Sequence, residues 1–136
     1  MKLLMFYCPD FRLEPYSRTV DTGPENPDPV QASDAVVVFY HCEAEDQGRE
    51  KQVLTKALKN IKWLANKFGS QEIVMHSFNH LSSSKASPEL TNEMARSIVK
   101  RLQDTGYQVQ ETPFGWLNEW WMHVAGESLA KVFKDI

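Results

Sequence analysis

The chain is poor in the features that mark several large protein classes. It has no apolar run of the roughly 20 residues that a membrane-crossing helix needs. The apolar stretch Leu3–Cys8 is short and Pro9 cuts it off. It has two cysteines, Cys8 and Cys42, too few for a disulfide framework, and they read as free thiols of a reducing cytoplasm. Two cysteines also build no zinc site without histidine. His76 and His80 stand four apart, but on a strand and its following loop they share no face and have no third ligand in view, so no metal is expected. There is no excess of positive charge: 15 Lys and Arg against 18 Asp and Glu leave a net −3, which excludes a surface that grips nucleic acid all over. Glycine-rich phosphate loops, nucleophile elbows, internal repeats and low-complexity tracts are absent as well.

What remains is a chain of 136 residues, 42% hydrophobic and 24% charged, the size and composition of one globular domain spanning 1–136. Lys2–Cys8 reads as a buried first strand. Pro9–Ser33 carries five of the seven prolines. It divides into an edge strand over Phe11–Val20 and an irregular loop over Asp21–Ser33. Ala35–Cys42, apolar on both faces, is the expected central strand. The spacing of Val53, Leu54, Ala57, Leu58, Ile61, Leu64, Ala65 and Phe68 predicts a helix over Gly48–Lys67, closed by Gly69. Its other face is lysine-rich, and Arg96, Lys100 and Arg101 give a second helix a similar patch. These basic faces suit either solvation or RNA phosphates.

Glu72–Phe78 follows as a buried strand and Asn79–Ser87 as a polar loop. Ser87 and Pro88 are the cap and first residue of the second helix, whose stripe Leu90, Met94, Ala95, Ile98, Val99 and Leu102 ends at Gly106. Tyr107–Glu111 and Trp116–Val124 read as strands. Glu127, Lys131 and Lys134 are spaced for one face of a short final helix over Glu127–Lys134. The expected order is βββαβαββα, an α/β domain with helices packed on a mixed sheet.

Three polar features fall at strand ends or in loops, where sites usually sit. The first is Asn79-His80-Leu81-Ser82-Ser83-Ser84, read either as a surface loop or as a histidine and hydroxyls at a cleft mouth. The second is Pro113–Glu119, where Gly115 between bulky neighbours lets backbone approach a ligand or simply makes a tight turn. The third is the charged C-terminal segment. Trp120 and Trp121 are consecutive and point to opposite sides of their strand, so one of them meets either a partner or the core of its own subunit.

Phe78, His80-Leu81-Ser82-Ser83 after a strand, Pro113-Phe114-Gly115 entering an aromatic strand, the Gly126 turn and the start Met1-Lys2-Leu3-Leu4 together resemble the N-terminal editing domain of archaeal threonyl-tRNA synthetase. The resemblance runs over essentially the whole chain. It implies a D-aminoacyl-tRNA deacylase-like fold, a homodimer, no metal or other cofactor, and hydrolysis of serine wrongly esterified to threonine tRNA. The tRNA would present its 3′-terminal aminoacyl-adenosine, and a synthetase catalytic protein would be a further partner. His80 matches the family's site histidine. Phe78, Phe114, Gly115, Trp116 and Leu117 match the walls of the substrate pocket, with Trp116 where the family has tyrosine. Cys42 matches a small apolar residue lining the amino-acid side. The family's lysine after the turn is Asn118 here, and its later glutamate is Lys131. The resemblance therefore implies either a catalytic set of His80, Asn118 and Lys131, with the charge relocated, or a paralogue that binds tRNA or a synthetase without chemistry. A deacylase of other specificity, such as for D-aminoacyl-tRNA, is the third reading.

Overall fold

In a computed structural model, which describes residues 1–136, β1 runs unbroken over Lys2–Arg18, 17 residues. It pairs antiparallel with β2 (Val30–His41) along one side. Its other side is shared by two short partners. β6 (Lys131–Asp135) covers Lys2–Phe6, and β5 (Trp116–His123) covers Asp10–Arg18. The expected break at Pro9 and the separate edge strand over Phe11–Val20 are thus corrected to one continuous interior strand. Pro9 is tolerated because it stands in a gap of both ladders. Opposite it Asp34 takes a φ of 50° and is skipped in the β2 register, while on the far side the partner changes from β6 to β5. Pro15 lies where the β1–β5 register shifts, a bulge that needs no ladder donor.

Across the same gap the alternation slips by one residue: the odd-numbered Leu3 and Met5 enter the core on one face of the sheet, whereas the odd-numbered Phe11 and Leu13 enter the core on the other. With β3 over Glu72–Ser77 and β4 over Gln108–Glu111, the sheet order is β4-β3-β2-β1-β5, with β6 also on β1. β3 is parallel to β2, and β4 is parallel to β3. Parallel neighbours need crossovers, and the two helices supply them.

Helix α1 (Glu50–Phe68) buries Val53, Ala57, Ile61, Leu64 and their stripe, and Gly69 closes it at φ 64° with its N–H on the Ala65 and Asn66 carbonyls. Helix α2 (Pro88–Asp104) starts as expected, with the Ser87 hydroxyl accepting from the Leu90 N–H. Both pack on one sheet face and form a 21-residue core with Leu3, Met5, Val36, Val38 and Ile73. The opposite face holds a smaller core of nine, including Phe11, Leu13, Val37, Phe39 and Val74.

The C-terminal segment is not the expected helix. A 3-10 turn over Ser128–Ala130 leads into β6, which fills the open edge of β1 beside Lys2–Phe6. Helical charge spacing on a five-residue strand is a coincidence that an available sheet edge overrides. The carboxyl ends of β2 and β3 lie side by side, Tyr40 opposite Ser77. The loops that leave them therefore meet, as they do in open sheets whose ligands bind beyond the carboxyl ends of parallel strands.

Candidate active site

A cleft of about 450 Å³ opens there. Its floor is the end of β3 (His76, Ser77, Phe78), one rim is Asn79 and His80, and the facing wall is the Thr112–Gly115 turn with the start of β5. Thr19 and Val20, just past β1, complete it. Gly115 is required twice over. Its φ is 77°, and a Cβ there would lie 2.2 Å from the Val20 Cγ2, so a side chain strains the backbone and has to push the Val20 side chain aside. The Thr19 N–H and hydroxyl both donate to the Gly115 carbonyl, at 2.8 and 2.9 Å. The Trp116 indole N–H donates to the Pro24 carbonyl at 2.8 Å. A Cβ on Gly23 would stand 2.4 Å from the Phe114 oxygen. The proline-rich segment, expected to be only an irregular loop, thus clamps the turn that carries Phe114, Gly115 and Trp116.

The histidine loop is held from below by His41, which is fully buried. The Leu81 N–H donates to its Nδ1 at 3.1 Å, so the proton sits on Nε2 and is donated to the Ser84 carbonyl at 2.7 Å. The serines are equally committed. The Ser82 hydroxyl donates to Glu43 at 2.6 Å and the Ser84 hydroxyl to Glu45 at 2.5 Å. Glu43 also receives the Met1 ammonium at 2.9 Å, and the same ammonium reaches the buried Asp46 at 2.6 Å. Partial burial pushes the Glu43 carboxyl up, but the hydrogen bonds from Ser82 and Met1 outweigh it and hold the group at about 2. Of the two readings of this loop, the Ser82 and Ser84 hydroxyls follow the structural one. His80, by contrast, is exposed at the rim, its ring edge-on to Phe78 with centroids 5.0 Å apart.

Two further polar groups line the cleft. His76, 5% exposed, packs edge-on to Phe39 and Trp120. Burial drives its pKa down to about 4, so the ring is neutral at pH 7. Its Nδ1 lies 2.8 Å from the Thr112 hydroxyl, which itself lies 3.4 Å from the Met75 carbonyl. With the hydroxyl donating to Met75, the imidazole proton stands on Nδ1 and Nε2 is the acceptor; with the hydroxyl donating to Nδ1, the proton stands on Nε2. Sequence reasoning weighed His76 only as a zinc ligand. The signal it passed over was the shared strand parity of His76 and Phe78 at the end of β3. The second group is Asn118. Its amide donates to the Trp116 carbonyl at 3.0 Å, while its Oδ1 is buried and has no hydrogen-bond partner. A buried acceptor left unmatched costs about 1–3 kcal/mol, and such atoms call for an explanation.

The structure therefore brings together Phe78, His80, Phe114, Gly115, Trp116, Leu117 and Asn118. It does not bring Cys42 or Lys131. Cys42 lies in the helix-side core, where burial pushes its thiol up to about 12, leaving an inert apolar filler. Lys131 opens β6 opposite Phe6, whereas Asn118 pairs with Pro15. Roughly 30 Å of strand separates these positions at about 3.3 Å per residue. The Lys131 ammonium is held by the Ala125 carbonyl at 2.8 Å. Within one chain it supplies no charge to the cleft, because the final segment became a strand at the far end of β1. Trp120 and Trp121 are 39% and 46% exposed, rather than buried on both sides. Trp120 turns toward Phe39 and His76, and Trp121 lies under the Arg12 guanidinium at 4.9 Å.

The family model described as the archaea-specific editing domain of threonyl-tRNA synthetase matches residues 1–136. The threonine–tRNA ligase of Thermococcus kodakarensis is 29% identical over 123 residues, covering 85% of this chain and 20% of that protein. That of Methanopyrus kandleri is 25% identical over 137 residues, covering 100% of this chain and 22% of that protein. That of Hyperthermus butylicus is 31% identical over 104 residues, with 74% and 17% covered. The chain thus spans about a fifth of the length of the curated relatives it matches. A solved structure titled c-Myc DNA Unwinding Element Binding Protein superposes with a TM-score of 0.68 at 12% identity, covering 100% of this chain and 99% of that one. At that identity the likeness speaks for the fold, the deacylase-like α/β architecture that the sequence resemblance implied.

Proposed function

The chain belongs to the archaeal threonyl-tRNA synthetase editing-domain family, and from that membership we propose that its cleft hydrolyses the ester joining serine to the 3′-terminal adenosine of threonine tRNA. The family itself is one of tRNA editing. The serine ester and the manner of its hydrolysis are our reading. The observation that carries it is the unpartnered Oδ1 of Asn118 among the cleft residues, an acceptor suited to a water or an ammonium.

Serine differs from threonine by one methyl, and a binding pocket discriminates a methylene by only about 1–3 kcal/mol. A second, hydrolytic pocket is the chemical remedy. An aminoacyl ester is already activated, so no protein nucleophile is needed, in keeping with serines tied to Glu43 and Glu45. In this reading Phe114 and Trp116 flank the adenine. Asn118 Oδ1 and His80 orient the attacking water, and the neutral His76 Nε2 accepts from the substrate. Water adds to the ester carbonyl and gives up one proton. The C–O bond to the ribose then breaks, and that proton passes to the departing ribose oxygen to leave a free hydroxyl. The serine carboxylic acid releases the water's other proton to solvent. Lys131 takes no part. A homodimer belongs to the same reading, supported by the exposed Leu117 and Trp121 on β5, as do tRNA and synthetase partners and a cytoplasmic setting.

The experiment is single-turnover deacylation of seryl-tRNA for threonine, with threonyl-tRNA beside it. The seryl ester is expected to be lost selectively. Asn118→Ala is expected to slow that loss about 10²–10³-fold, the scale of removing one aligned polar group from such a site. The uncharged Asn118 and the distant Lys131 favour one rival, a domain that binds tRNA without chemistry. Survival of both esters at high protein concentration, with tRNA still bound, would select it. Turnover of a D-aminoacyl ester alone would select the deacylase of other specificity.

A further inference from the structure

A second cavity of about 260 Å³ lies behind the cleft and shares Ser77, Thr112 and Phe114 with it. Its other walls come from α2 and the end of β4, and they carry charges of both signs: Arg96 on the helix and Glu111 on the strand. These two line one cavity, yet they form no salt bridge with each other and neither takes a hydrogen bond from its side chain to any other group. The neighbouring Lys100, in contrast, is tied to Asp104 at 2.7 Å. The Asn92 amide and the Tyr40 hydroxyl complete the polar lining. A cation and an anion kept apart across one cavity suit a ligand that bears both an anionic group and a hydrogen-bond donor.

On one side of the cleft Val20 and the Thr19 bonds to Gly115 close against the turn. Ser77, Thr112 and Phe114 line both cavities, so a chain that leaves the cleft across them enters the second. Resting on the reading of the cleft as a terminal-adenosine site, we propose that this second cavity holds the nucleotide before that adenosine, a cytidine, with Arg96 on the connecting phosphodiester and Glu111 on the cytosine amino group. Guanidinium is the side chain best matched to phosphate oxygens. A carboxylate accepting from the cytosine N4 amine is a standard base contact. The pairing explains why a carboxylate tolerates a neighbouring nucleic acid: it reads the base edge while Arg96 neutralises the backbone.

The test is calorimetric binding of the dinucleotide CpA, of UpA and of adenosine to the whole protein and to two surface variants, Arg96→Ala and Glu111→Gln. CpA is expected to bind about 10-fold more tightly than adenosine, one well-made charged contact's worth, with the gain shrinking as salt rises. Arg96→Ala is expected to erase that gain and Glu111→Gln to bring CpA down to UpA. Equal binding of CpA and adenosine, or a gain that survives Arg96→Ala, overturns the subsite. If seryl-tRNA is hydrolysed normally while CpA shows no advantage, the subsite alone fails. If CpA is preferred but no ester is cleaved, the hydrolytic reading fails and the subsite stands.

Discussion

The two faces of the sheet are built from the same strands and do opposite things. On the helix side 21 residues interdigitate around Ile61, Leu64, Ile98 and Leu102, each fully buried. The other side has nine, then grades through Phe39, Phe78 and Trp120 into a cleft with a neutral histidine and an unmatched amide oxygen. The first face follows what folding favours, apolar area removed from water. The second gives up some of that gain where polar atoms are left waiting for a ligand. The deep helix-side core and the cleft are therefore expected to respond differently to substitution.

The largest expected effect is on stability. Leu64→Ala removes a fully buried side chain and should cost about 2–5 kcal/mol, read as a lower urea midpoint, while the folded fraction keeps its deacylation rate. Asn118→Ala is the converse. It should leave the unfolding free energy within about 1 kcal/mol, because the lost amide bond to Trp116 is offset by relief of the unpaired Oδ1. If Asn118→Ala unfolds the protein, or Leu64→Ala slows chemistry in the folded fraction, the division between faces is wrong.

Acid should loosen the site face first. His76 titrates at about 4 in the fold against 6.5 when unperturbed, so the unfolded chain takes up its proton earlier and stability falls as pH drops from about 6.5 toward 4. Glu43 acts at lower pH. Its carboxyl, held at about 2 against 4.5, contributes stability that is present above 4.5 and lost as pH falls toward 2. Urea midpoints measured across pH 3–8 should show the upper limb, and His76→Gln should flatten it. An unchanged profile in that variant would remove His76 as the cause.

The smallest effect should come from Lys131→Ala. It loses one partly exposed bond to the Ala125 carbonyl, worth about 0.5–1.5 kcal/mol, and single-turnover deacylation should stay within a factor of two. A large loss of activity would mean that Lys131 reaches a cleft from a second subunit, and would tie the two ends of β1 together functionally.

The helices were legible because their signals are local. Ser87 and Pro88 start α2, Gly69 stops α1, and the 3.6-residue stripe names the buried face without reference to anything distant. The walls of the cleft were legible too, since Phe78, His80 and the Phe114–Asn118 run sit at strand ends in a recognisable order. Less visible were the proline-rich segment as a clamp and His41 as the post beneath the histidine loop. Each acts through partners more than 30 residues away, Pro24 on Trp116 and His41 on Leu81.

Composition and periodicity alone determined a single α/β domain, its two helices, its central strand and the loop that presents His80. Tertiary structure decided the rest. A strand is completed by whichever edge lies beside it, so Lys131–Asp135 became β6 instead of a helix, and Pro9 could sit inside β1 because both of its neighbours leave a gap there. Helix formation is settled within a few turns of chain, whereas strand pairing and the burial of polar atoms depend on segments that meet only when the fold closes.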